Sequence, residues 1–182
     1  PVKDGYRFDG WYDSSDNRVT EIPAGDTGNR TFTARWTKIH TVTYESDGGT
    51  AIEPADVLNG ETIPSAPTPP VKQGYTFGGW YLDDGTFTDP FTFGSTAITG
   101  DITLYGKWIA DTDTPYTVKH YKESPLTGAY VLNEEENLTG TTAATATASA
   151  RNYMGYSENS SHPSQVATGT SAGDGTRVLP LY

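Results

Sequence analysis

Gly74-Tyr75-Thr76-Phe77-Gly78-Gly79-Trp80-Tyr81 is the stretch on which the reading of this 182-residue chain turns. It reads as a β-strand, with glycines that allow a bulge or a close backbone approach. With Pro70-Val71-Lys72-Gln73 ahead of it, the block repeats Pro1–Tyr12 at nine of twelve positions. Each copy then closes on a basic residue and a tryptophan, Arg35-Trp36 in the first and Lys107-Trp108 in the second. The opening blocks are offset by 69 residues and the closing pairs by 72, so the intervening loops differ by three. Repetition at this period describes a string of small modules rather than one globule around a single pocket. It points to reach and display, and away from catalysis.

Working outward, the second copy is the complete one. Thr41-Val42-Thr43-Tyr44-Glu45 reads as a strand stopped by Asp47-Gly48-Gly49. Pro64, Pro67, Pro69 and Pro70 hold the next segment extended, because proline fixes φ and removes amide donors. Asp83-Asp84-Gly85 is a turn, and Phe91 and Phe93 alternate along a short extended piece. Ile102–Trp108 is the closing strand, with Ile102, Leu104 and Gly106 on one face. Residues 1–38 hold only the second half of this pattern and lack an equivalent of Thr41–Glu45. The expected division is therefore a partial module at 1–38, a complete one at 39–109, a polar linker at 110–114 and a divergent module at 115–182. In the last, Tyr116–Glu123 and Tyr130–Glu134 form a hairpin, and the Ala-rich Thr145–Arg151 is read as one or two helical turns. Val178–Tyr182 closes the module, with Pro180 placing that strand at an edge or on a bulge.

Modules of about seventy residues or fewer bury a modest fraction of their surface, are only marginally stable and need dense anchors. Cysteine is absent, which removes disulfides, so the 12% aromatic content is the staple. A net charge of −11 argues against phosphate-backbone binding and against anionic lipid. No apolar run is long enough to span a membrane. The chain opens inside a repeat and is read as part of a longer protein, with any export signal or anchor lying outside it.

Val42-Thr43-Tyr44, Asp47-Gly48-Gly49, Pro69-Pro70, Gly74–Tyr81 and Ile102–Trp108 together resemble the Listeria–Bacteroides repeat, the B-repeat of internalin B. The resemblance covers 39–108 fully and 1–36 in part; Gly106 stands where many members have alanine. Residues 115–182 resemble the mucin-binding-protein-like β-grasp repeats, through Tyr116–Tyr121, Gly155-Tyr156 and Val178–Tyr182. The resemblance implies an α+β, ubiquitin-like β-grasp fold with little helix, in tandem small modules. It also implies a non-enzymatic, extracellular stalk or spacer at the bacterial cell surface, displaying another domain and aiding adhesion. It brings no catalytic residues, no metal and no cofactor. Partners on this reading are a host or bacterial surface protein or a glycan, and no nucleic acid.

Gly169-Thr170-Ser171-Ala172-Gly173 fits the nucleophile-elbow pattern, but that chemistry needs strand, serine, helix and a later histidine. The flanks here are polar turn residues and the last histidine, His162, precedes the serine, so the motif is read as a loop. Asp13–Asn17 and Asp83–Gly85 could offer oxygens to calcium, yet lack alternating ligands and a distal glutamate; turn chemistry accounts for both. Glu134-Glu135-Glu136 is read as a solvated edge or turn, His40, His120 and His162 lack metal spacing, and Lys119 is a conceivable isopeptide donor. The aromatic set Trp11, Trp36, Tyr75, Phe77, Trp80, Tyr105 and Trp108 poses the choice that matters. Buried, these rings are the core of cysteine-free modules; exposed in a row, they are a carbohydrate- or host-ligand-binding face. Small-domain energetics favour core.

Overall fold

Extended structure prevails because β-branched and aromatic residues alternate between glycine and proline breaks throughout the chain. The computed structural model describes residues 1–182 and contains eleven strands. β1 (Tyr6–Tyr12), β2 (Arg18–Val19), β3 (Thr33–Glu45), β4 (Ala55–Leu58), β5 (Tyr75–Tyr81) and β6 (Ile102–Ala110) form one sheet. Its order is β2-β1-β3-β6-β5, with β4 also paired to β3. β7 (Thr114–Glu123), β8 (Tyr130–Gly140) and β11 (Val178–Leu181) form a second sheet in the order β11-β7-β8. β9 (Thr145–Thr147) and β10 (Thr168–Thr170) pair separately. No helix is present, so none is long and apolar enough to cross a membrane.

The mostly β expectation holds; the α half of the expected α+β, β-grasp arrangement does not. Between β3 and β5 the chain carries Pro54, Pro64, Pro67, Pro69 and Pro70, each of which removes a helical donor. Thr145–Arg151, read as helical turns, is a strand in its first half. Threonines alternate with alanines there, and Ala146 and Ala148, two apart, both turn inward. That is a strand period rather than a helical one.

The chain divides into two compact units. One comprises Pro1–Asp47, Ala51–Pro69 and Gly79–Lys107; the other comprises Gly48–Thr50, Pro70–Gly78 and Trp108–Tyr182. In the first, β3 is the axis. Its first half pairs antiparallel with β1, from Thr33↔Tyr12 to Lys38↔Tyr6. Its second half pairs antiparallel with β4 and, from Val42↔Ile102 to Glu45↔Tyr105, parallel with β6. Val42, Leu104 and Ile98 are almost wholly enclosed there, and Tyr44 sits edge-on to Trp80 at 5.1 Å. Burial pushes the Tyr44 hydroxyl up from its ordinary pKa.

In the second unit the hairpin is longer than the sequence suggested, since β8 continues to Gly140 and pairs with the whole of β7. β11 lies parallel to β7 and at the sheet edge, where a proline is tolerated. Tyr116, Val118, Ala146, Ala148, Leu179 and Leu181 form the core. Only Asp111-Thr112-Asp113 lie between β6 and β7. Asp111 is tied at three points: its amide donates to Gly74 O, its carboxylate accepts from Thr76 Oγ1, and its carbonyl accepts from the Thr142 amide.

The turn before each aromatic strand is the same in both copies. Tyr6 N–H donates to Lys3 O and Tyr75 N–H to Lys72 O, with Gly5 and Gly74 at φ near +75°. A Cβ on Gly5 would meet open space, whereas one on Gly74 would lie 2.5 Å from Gly173 Cα and 2.6 Å from Thr142 Oγ1. Gly5→Ala is expected to cost about 1 kcal/mol, the backbone penalty alone. Gly74→Ala is expected to cost more, through collision with backbone. Urea unfolding of the two variants measures the difference, and equal losses would contradict the close packing at Gly74.

Candidate functional site

The repeated residues make repeated contacts. Phe8 meets Trp36 edge-on at 5.2 Å and 63°, and Phe77 meets Trp108 at 5.4 Å and 65°. Lys3 caps the Tyr6 ring at 3.7 Å and Lys72 the Tyr75 ring at 4.8 Å. Arg35 caps Tyr12 at 4.5 Å and Lys107 caps Tyr81 at 5.2 Å. The basic residue ahead of each closing tryptophan thus covers the tyrosine of the matching Gly-Trp-Tyr. Such edge-to-face and cation–ring contacts each add on the order of 1 kcal/mol beyond burial.

Equivalence ends at the other tryptophan. Trp80 is 4% exposed, closed by Tyr44 of the opening strand, whereas Trp11 is 42% exposed and leans on Phe8 at 5.7 Å. Trp36, Tyr75, Phe77, Tyr105 and Trp108 are half-buried. Of the seven aromatics singled out by sequence, the structure pairs Phe77 with Trp108 and encloses Trp80; it leaves Trp11 the most exposed of the set.

A second constellation escaped sequence reasoning. His120, buried on β7, has Nε2 2.6 Å from Glu136 Oε1 on β8. Arg151 Nε donates to the same oxygen at 2.8 Å, and Tyr153 Oη donates to Glu134 Oε2 at 2.6 Å. Lys122 stands over the Tyr153 ring at 3.7 Å. Beside this network lies an open cleft of about 500 Å³ lined by Tyr121, Tyr130, Tyr153, Tyr156, Tyr182 and Lys122. Its rings are largely engaged with one another: Tyr182 stacks on Tyr121 at 4.8 Å and on His162 at 3.8 Å. Glu134 and Glu136 thus form a bonded strand face, while Glu135 points to the other, exposed side, where Lys119 lies 3.8 Å away. No signal along the chain announced the network, because the bond follows from the register of β8 on β7, which sets Glu134 opposite His120 and Glu136 opposite Val118.

The remaining candidates fall into place as turn or strand chemistry. Asp13 accepts from the amides of Ser15 and Asn17, which hold its carboxyl below the usual range. Asp83 accepts from Thr86 Oγ1 and the amides of Thr88 and Asp89, and its carboxyl is lowered strongly. Ser171 is 3% exposed, follows β10 directly, and its amide and carbonyl bond Ala144 and Ala143; no helix follows it. Lys119 Nζ lies 3.8 Å from Glu135 on a half-exposed strand face. His40 is buried on β3 between Asn59 at 3.0 Å and Asp101 at 3.4 Å.

Hydrogen bonds first from Arg151 and then from His120 hold the Glu136 carboxyl down at about 2, against 4.5 for a free glutamate. Its contribution is therefore complete above about pH 4.5 and is lost as pH falls toward 2. Glu136→Gln is expected to lower stability at neutral pH and to flatten the acid limb between those values. Urea midpoints measured across pH 2–6, on the order of ten points, would show it; an unchanged acid limb would contradict the network.

The sequence pattern of the Listeria-Bacteroides repeat domain matches residues 1–35 and 40–107. The chain is 36% identical over 113 residues to a putative Gly-rich membrane protein of Evansella cellulosilytica, covering 59% of this chain and 13% of that protein. A putative membrane protein of the same organism is 35% identical over 113 residues, with 59% and 16% covered. Internalin H of Listeria monocytogenes is 33% identical over 116 residues, with 59% and 20% covered. The chain thus spans a fifth or less of the length of these relatives. Matched on both repeats, and carrying in each the same ring-on-ring and cation-on-ring contacts, the chain belongs to the Listeria–Bacteroides repeat domain family.

Proposed function

We propose that this chain is a non-enzymatic spacer of a bacterial surface protein, working outside the cell to hold another domain at a distance and to assist adhesion. The observation that carries this reading is β3. One thirteen-residue strand closes the first repeat and opens the second. Its partners change from β1 at Lys38 to β4 at Ile39 with no residue left over. A junction inside a hydrogen-bonded strand has none of the freedom of a flexible linker, so force and orientation pass from repeat to repeat. The net charge of −11 supports the same role by keeping such repeats soluble. Relatives that include an internalin and two putative membrane proteins, all far longer than the matched region, are in keeping with modules that serve a larger surface protein.

The alternative, a glycan- or host-ligand-binding face of tryptophans and tyrosines, is disfavoured by the engagement of those rings with one another and with Lys3, Arg35, Lys72 and Lys107. The chain has no cysteine, so spin labels can be placed freely. Labels at Ser14→Cys and Asp84→Cys, in exposed turns of the two repeats, are expected to report one narrow distance population by double electron–electron resonance. Two glycines inserted after Lys38 should broaden it. A broad distribution in the unaltered chain would overturn the spacer, and glycan-array binding lost in folded Trp11→Ala would put the lectin-like reading in its place.

A further inference from the structure

We infer that Gly169-Thr170-Ser171-Ala172-Gly173 is a docking motif, shaped to seat the module that carries it on the glycine turn of the preceding repeat. It rests on the spacer reading, since it names a surface by which consecutive modules join. The pattern is that of a nucleophile elbow, but the chemistry is missing. The Ser171 hydroxyl is sealed from water, has no hydrogen-bond partner to activate it, and no helix follows.

The second repeat shows what that position does. Buried Ile98 accepts at its carbonyl from the Gly60 amide at 2.7 Å and donates its own amide to Glu61 O at 2.8 Å. Ser171 makes the same two bonds, accepting from the Ala143 amide at 3.0 Å and donating to Ala144 O at 2.8 Å. Gly60 and Ala143 both hold positive φ, +85° and +62°. The strand plan around them agrees: β3 pairs antiparallel with β4 and parallel with β6, as β7 does with β8 and β11. Ser171 thus fills the core position of Ile98, and Gly173 corresponds to Gly100.

Both joints share one backbone bond. The turn glycine's carbonyl accepts from the amide three residues after the closing tryptophan: Gly5 O from Ile39 at 2.8 Å, Gly74 O from Asp111 at 2.9 Å. At the second joint the motif adds a closer contact. A Cβ on Gly173 would overlap the Gln73 carbonyl oxygen and lie 3.4 Å from Gly74 Cα, whereas one on Gly100 would meet nothing within 4 Å. The φ of Gly173 lies outside the left-handed region, so its backbone would accept alanine. Only the closeness of the turn requires glycine there. Thr142, whose amide donates to Asp111 O at 2.9 Å, holds the other side of the turn, its Oγ1 where a Cβ on Gly74 would fall. Gly74 and Gly173 therefore each admit only a residue without a side chain, and the partner this surface fits is a glycine turn.

Residue-resolved amide hydrogen exchange on the full chain, with Gly173→Ala and Gly100→Ala, decides the matter. In Gly173→Ala the Asp111 and Thr142 amides are expected to exchange at least about tenfold faster. The Thr117 and Ala148 amides, bonded to Arg177 O and Ala167 O inside the module, should keep their protection. Gly100→Ala should leave the Ile39 amide as it is in the unaltered chain. Unchanged protection at Asp111 and Thr142 overturns the inference. So does loss at Thr117 and Ala148, which would make Gly173 a requirement of the module's own fold. Equal loss at Ile39 in Gly100→Ala would assign the glycine to the shared strand plan and overturn it as well. Spin labels at positions 14 and 84 report on the other joint, so the spacer reading fails or stands separately.

Discussion

Tyr44 against Trp80 is the contact on which the complete repeat depends. It joins the opening strand to the Gly-Trp-Tyr strand, which in the sheet are otherwise connected to each other only through β6. A cysteine-free module of this size has few large apolar groups, and the edge-to-face pair lets two of the largest bury each other. In the first repeat Trp11 has no such ring against it from an opening strand. With every other repeated contact in place, the same tryptophan stands open to water.

The other repeated contacts explain why the motif contains what it does. Phenylalanine in the aromatic strand packs edge-on to the closing tryptophan, and the basic residue before that tryptophan covers the tyrosine that ends the strand. Lysine ahead of the turn covers the tyrosine that follows it. Each conspicuous residue of the motif therefore has a ring as its partner. A surface tuned for ligand stacking would leave ring faces free, and here the faces are occupied from within. Trp11 is the exception, 42% exposed with only Phe8 against it.

Residues 114–182 solve the same problem with different chemistry. Their core is small and mostly aliphatic, with Val118, Leu179, Leu181 and two alanines around one aromatic ring, Tyr116. The hairpin is reinforced by charge: Glu136 receives both His120 and Arg151, and Glu134 receives Tyr153. Sequence reading placed the hairpin and the edge strand with Pro180 correctly, because both are announced by local signals. It turned Thr145–Arg151 into helix because alanine content outweighed the alternation of threonine, and Ala146 and Ala148 show the alternation winning once a core is available to receive them.

What the sequence determined by itself was the repetition. The two copies, the aromatic and closing blocks of each and the family were legible, since repetition is a property of order along the chain; the turns at Gly5 and Gly74, β4 and the strand at Thr145–Thr147 were not. Tertiary structure alone decided which copies of the same residue are buried and which side chains meet. Trp11 and Trp80 are identical in local sequence, Gly-Trp-Tyr in each case, and differ because one has a strand laid against it from thirty-six residues away and the other does not. Likewise Glu136 becomes the centre of a network through the register of β7 on β8, and register is a relation between strands that neither strand carries alone.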